Sequence, residues 1–181
     1  MARKGLTQRK RALDVIFEAE QKDILVPGLL RELLAERQEV STHQVPIQKL
    51  GVDLVDLVAD HLYEIDGMID DYSKFGLRRL SSIDRAVLRL GVGEIYYGGT
   101  NVAEAIRDYS EIVRELGNDK SIGFITAVFH RTKESLTGET KTHDTVPVAP
   151  SGVSAGSPAE SAGSPAESAE SASAVSAESA D

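Results

Sequence analysis

Five cations, Arg3, Lys4, Arg9, Lys10 and Arg11, stand among the first eleven residues with no acid between them. Cations in such a run pair with phosphates, and the first eleven residues therefore read as a basic arm. A second candidate is the junction Gly117 to Phe124, GNDKSIGF. Lys120 and Ser121, beside exposed amides at the start of a helix, make a natural anion site. A third group, Asp53, Asp56, Asp60, His61 and Glu64, has spacings of three and four that stack side chains on one helical face and invite a metal. A carboxylate-bridged dimetal site, however, needs Glu-x-x-His on each of two helices, and here His61 precedes Glu64. The group reads as a solvated acidic face, with no metal and no cofactor. Nucleophilic chemistry finds no support either. The chain has no cysteine, its four histidines are scattered, and no serine lies in a G-x-S-x-G turn. The residues ask for binding surfaces, not for catalysis.

The elements that must position these residues are helices. Leu80 to Ile95, LSSIDRAVLRLGVGEI, carries the strongest pattern. Ser81 or Ser82 can cap it and Asp84 suits its positive end. Ile83, Val87 and Leu90 form one stripe, while Gly91 and Gly93 strip bulk from the surface so that another helix can approach. The spacing predicts a buried central helix. Ahead of it, Leu13, Ile16 and Phe17 define a first helix that fades near Asp23, and Pro27 opens a second with Leu30, Leu33 and Leu34 inward. Ile47 to Tyr72 keeps helical spacing for longer than a typical globular helix, so two helices or one bent helix are expected, with the break near His61. Behind it, GVGEIYYGG places glycines at the end of a helix with no strand before them, which rules out a dinucleotide loop. Val102 to Leu116 is a further helix with Ile106, Tyr109, Val113 and Leu116 inward. Asn118 or Asp119 can cap the last one, where Gly123 would permit a close contact. The expectation is an all-α domain over about residues 12 to 137 with about six or seven helices.

Charge separates this domain from the C-terminal segment. The whole chain has 29 acidic and 20 basic residues, but residues 138–181 hold seven of the acids and a single lysine. That segment repeats GSPAESA in tandem and has almost no large apolar side chains, so it reads as a disordered acidic tail. The balance argues against coating nucleic acid by bulk charge, and local patches matter more. No apolar run reaches the length of a membrane span, which points to a cytoplasmic protein. A small helical body with a basic arm fits single-stranded RNA better than duplex DNA, since no helix-turn-helix face is evident.

With these pieces in order, the chain resembles the NusB transcription antitermination factors. The likeness rests on RKRALDVIFEAE, IDGMIDDY, IDRAVLRLGVGEI and ELGNDKSIGFITAVF, and covers about Gln8 to Lys133. It implies a fold of two small helical bundles and a non-catalytic role in ribosomal RNA transcription, within the RNA polymerase antitermination complex. The partners it implies are a boxA-type RNA and the ribosomal protein NusE. By resemblance, Arg3, Lys4, Arg9, Lys10 and Arg11 would meet RNA phosphates, with Tyr72, Leu116, Lys120 and Ser121 near the RNA path, while Glu94 and Phe124 would face NusE. Departures from the family pattern fall at Arg107, Asp108, Lys120 and Thr126, with Lys120 standing where the family usually has an acid. Two other readings stay open here: an RNA-binding domain like that of ribosomal RNA cytosine methyltransferases, and a purely structural helical adaptor. So does a homodimer that hides the RNA surface.

Overall fold

The structure, a computed structural model, describes residues 4–74 and 76–138. Arg3 and the acidic tail beyond Gly138 lie outside the described residues. Within them the chain forms seven α-helices: α1 (Lys4–Gln21), α2 (Pro27–Glu39), α3 (Lys49–Asp60), α4 (Leu62–Tyr72), α5 (Ser82–Tyr96), α6 (Val102–Glu115) and α7 (Ile122–Thr137). Short 3-10 turns at Leu77–Arg79 and Asp119–Ser121 lead into α5 and α7. The all-helical expectation holds, and its boundaries have local causes. Pro27 opens α2, where a missing amide hydrogen costs nothing. The long apolar run breaks at His61, which ends α3 and begins α4. Ser81 caps α5 by accepting from the Asp84 amide at 3.1 Å.

Two bundles share one helix. α1, α2 and α3 pack together, α4, α6 and α7 form the second group, and α5 packs on α1 and α3 as well as on α4, α6 and α7. Every residue of α5 from Ala86 to Ile95 is buried in consequence. The two interior glycines make this possible. A Cβ on Gly91 would overlap Phe129 Cζ severely, at the tip of the ring, and one on Gly93 would sit 2.8 Å from Leu57 Cδ2 and 3.0 Å from Ile65 Cδ1. Gly123 differs from its expectation: a Cβ there would meet nothing within 4 Å, so it holds no close contact.

Charged residues fasten the bundles along α5. Arg89, buried, donates to both oxygens of Asp66 on α4 at 2.7 and 3.0 Å and to Glu20 on α1 at 2.8 Å. Arg85 reaches the same Glu20. A separate pair joins α1 to α2, where Arg37 donates to Glu18 at 2.8 Å. Those hydrogen bonds from Arg37, opposed by partial burial and helped by Lys22, lower the Glu18 carboxyl from 4.5 to about 2. A depressed carboxyl adds stability that is present above its unfolded pKa and is lost as pH falls through the folded one. Arg37→Met should therefore destabilise the domain at pH 7 by about 1–2 kcal/mol, discounted for the partial exposure of Glu18, and progressively less as pH falls from 4.5 toward 2. Urea unfolding of both proteins across that range checks this, and a gap that stays constant with pH contradicts it.

Candidate nucleic-acid interface

The basic arm is the first correction. From Lys4 onward these residues are not an arm but the opening turns of α1, and the apolar stripe of that helix runs back through them. Leu6, Arg9, Ala12, Leu13 and Ile16 are spaced by three and four residues, so they share a face, and all are buried. Arg9 is 3% exposed. Its guanidinium donates through Nε to Glu94 Oε2 at 3.0 Å and through Nη2 to Glu94 Oε1. It also reaches Asp108 Oδ2 at 2.7 Å and Glu104 Oε1 at 3.1 Å.

Glu94 is corrected with it. Expected to face a protein partner, it is 3% exposed and also accepts from Tyr109 Oη at 2.9 Å and Thr100 Oγ1 at 3.1 Å. Two residues expected to meet two different partners are bonded to each other in the interior. Burial alone would disfavour the charged guanidinium, but the hydrogen bonds and charge of Glu94 outweigh it and hold Arg9 above its ordinary pKa. The Tyr109 hydroxyl, fully buried beside the Glu94 carboxylate, is likewise pushed well above its ordinary value. The cluster joins α1, α5 and α6, and its chemistry is cohesion: charge neutralised by charge, with no open position for a substrate. Asp108 and Tyr109 were missed as members. The available signal was positional, because Glu94 and Asp108, like Arg9, lie on the apolar stripes of their helices.

Other expected RNA residues gather at the end of α6. Lys10, Arg11 and Leu116 line one hollow of about 100 Å³ together with Leu13, Asp14, Ile112 and Glu115. Leu116, expected inward, is 48% exposed because α6 ends at Glu115 and the chain turns there through Gly117 at φ 75°. Lys10 pairs with Glu115 on the surface. An exposed pair of this kind is worth at most about 1 kcal/mol, so a phosphate can displace the carboxylate at little cost. Arg11 is less available. It donates to Asp14 at 2.7 Å and to the Val45 carbonyl at 2.9 Å, strapping the α2–α3 connection to α1. Lys4 is exposed at the start of α1.

The α6–α7 junction departs from a simple cap. Asp119–Ser121 forms a 3-10 turn, and neither Asn118 nor Asp119 caps α7. Instead Asn118 Nδ2 and Ser121 Oγ donate to the two oxygens of Asp84 at 2.8 and 2.9 Å, tying the junction to the start of α5. Ser121 is thus engaged inward, while Lys120 is exposed. Tyr72, half-buried, ends α4, and its carbonyl accepts from Arg131 Nη1 at 3.4 Å. Phe124 is half-buried against the core. The acidic face on α3 behaves as expected. Asp53 pairs with Lys49 and Asp60 with Arg31, and His61 stacks on Tyr97 with centroids 3.6 Å apart. No group of three metal-ligating side chains occurs among the described residues, and none of their helices is long and apolar enough to cross a membrane.

Fold and site together define a class: a two-bundle helical domain, among its described residues, pinned internally by buried ion pairs, with exposed cations and an exposed apolar side chain at the α6–α7 junction. The model of the NusB family matches residues 6–134. This chain belongs to the NusB family. It is 33% identical to the transcription antitermination protein NusB of Beutenbergia cavernae over 126 residues, 66% of this chain and 82% of that protein. It is 31% identical to the one of Streptomyces coelicolor over 130 residues, 71% of this chain and 91% of that one. Among solved structures it is similar to T. maritima NusB, with TM-score 0.57 and 24% identity over 74% of this chain and 93% of the other. A chain in the crystal structure of a plectonemic RNA supercoil is similar with TM-score 0.59 and 22% identity, over 76% of this chain and 97% of that one. Both solved structures bear on the fold alone.

Proposed function

We propose that this protein is a transcription antitermination factor that binds a boxA-type RNA jointly with the ribosomal protein NusE and so supports transcription of ribosomal RNA. Membership of the NusB family across residues 6–134 carries this reading. The surface agrees with it. Lys10, Leu116 and Lys120 follow one another around the α6–α7 junction, a mixture of cations and an apolar side chain that suits single-stranded RNA. Phe124, on the first turn of α7, is the remaining candidate for the protein partner once Glu94 is assigned to the interior.

The test is a three-component titration. Protein, boxA RNA and NusE together should assemble more tightly than any two of them, and a mixture no tighter than its pairs rejects the proposal. Lys120 supplies a second measurement. Lys120→Asp should weaken RNA binding and flatten its dependence on salt, since each lost phosphate contact on a single strand removes about 0.7 from the slope of log affinity against log salt. Equal affinity of the two proteins at low and high salt removes Lys120 from the RNA path.

A further inference from the structure

With Arg9 consumed in the interior and Arg11 held by Asp14 and the Val45 carbonyl, only Lys4 and Lys10 of the described N-terminal cations stay open to a phosphate, and other cations are needed to hold a longer strand. Arg78 and Arg79 meet that condition. Both are exposed, and neither forms an ion pair with any described residue. Their position is fixed by the backbone around them. The Asp70 carboxylate, on the last turn of α4, accepts from the Leu77 amide at 2.5 Å and holds the Leu77–Arg79 turn against that helix end. Leu77 is buried, and Gly76 at φ 75° makes the bend that seats it. On the far side, Arg85 donates to the Leu80 carbonyl at 2.5 Å and Ser81 caps α5. The two arginines therefore project from a turn anchored at both ends, so binding orders their side chains but little further backbone.

The same turn bridges two places on the surface that the RNA reading leaves separate. Tyr72 precedes it by a few residues, and Arg131 is bonded to the Tyr72 carbonyl at 3.4 Å. Just after it comes Asp84, bonded to Asn118 and Ser121, with Lys120 between them in the chain. An ordered series results: Tyr72 with Arg131, then Arg78 and Arg79, then the α5 start, then Lys120 and Leu116. We infer that Arg78, Arg79 and Arg131 hold the phosphates of a single-stranded RNA as it passes from Lys120 to Tyr72, so that the backbone is gripped at this edge more than at the N-terminus. Cations flanking an aromatic ring on a rigid edge are what a single strand needs, charge for its backbone and a face for a base. This rests on the function proposed above.

The experiment measures boxA RNA affinity of the full chain with NusE present, across a series of salt concentrations. Arg78→Ala/Arg79→Ala should weaken binding about tenfold at low salt and lower the salt slope by about 1.4, two contacts at about 0.7 each. Lys22→Ala/Lys49→Ala, which removes the same two charges at other surface sites, should change the slope much less. The arginine variant should keep its thermal unfolding temperature and its capture of NusE. Equal losses in the two double variants, or an arginine variant that binds as the unaltered chain does, overturn the assignment. So does loss of NusE capture with RNA affinity intact, which would give the edge to an acidic protein surface. An unaltered chain that binds no boxA RNA at any salt overturns the proposed function itself, a result distinct from the others.

Discussion

Arg9→Met should lower the unfolding free energy by about 3–5 kcal/mol, the cost of leaving the buried Glu94 carboxylate without its cation, while Asp108 keeps Arg107 Nε at 2.9 Å. Glu94 and Asp108 are both almost wholly buried, and Arg9 is the cation shared between them. Arg9→Lys should recover only part of the loss. The guanidinium satisfies Glu94 through Nε and Nη2 and Asp108 through Nη1 at once, a planar arrangement that an ammonium does not reproduce. Apolar replacement of all three, Arg9→Met with Glu94→Leu and Asp108→Leu, should regain much of the stability because no charge is then stranded. Urea denaturation with midpoints and slopes for the three proteins provides the measurement. If Arg9 were an outward phosphate ligand, Arg9→Met would unfold like the unaltered chain and lose only RNA affinity.

The second large effect is expected at Gly91. Gly91→Ala should destabilise the domain by about 1–3 kcal/mol, although alanine is the better helix former by about 1 kcal/mol. The added methyl would overlap the tip of the Phe129 ring at Cζ, and that ring is fully buried and meets the Tyr109 ring edge-on at 5.7 Å between centroids. Tyr109 in turn donates to Glu94, so a displaced ring pushes on the charged cluster as well. Phe129→Leu in the same chain should relieve the clash and restore part of the loss. A double-mutant cycle measures this, and strictly additive effects would mean that Gly91 and Phe129 do not press on one another.

Helix positions were legible in the sequence because they depend on neighbours a few residues away. Ser81, Pro27, His61 and the Gly91/Gly93 pair each produced the boundary or close approach that their chemistry predicts. The all-helical class followed from the same patterns, while the family came from the resemblance of particular segments such as IDRAVLRLGVGEI. What local pattern did not disclose is which charges lie inside. Arg9 finds Glu94 across 85 residues of chain and Asp108 across 99, and no spacing rule spans such distances. A clue existed in the placement of these residues on apolar stripes, where a charge must be paired or the helix rotated. Read by composition, the N-terminal cations look like one group. Read by helical phase, they divide: Arg9 points inward, Arg11 lies along the α2–α3 connection, and Lys4 and Lys10 remain toward solvent. Leu116 misled in the opposite direction, since its stripe continues but its helix ends one residue earlier.

The separation of 99 residues also bears on synthesis. α1 leaves the ribosome before α5 and α6, so the carboxylates that neutralise its buried arginine are made much later. At about 5–20 residues per second, the guanidinium waits on the order of 5–20 s for Asp108 to be translated. Until then Arg9 keeps its water and α1 lacks its charge partners on α5 and α6. Of these seven helices, α1 is made before the others yet is among the last to be locked in place.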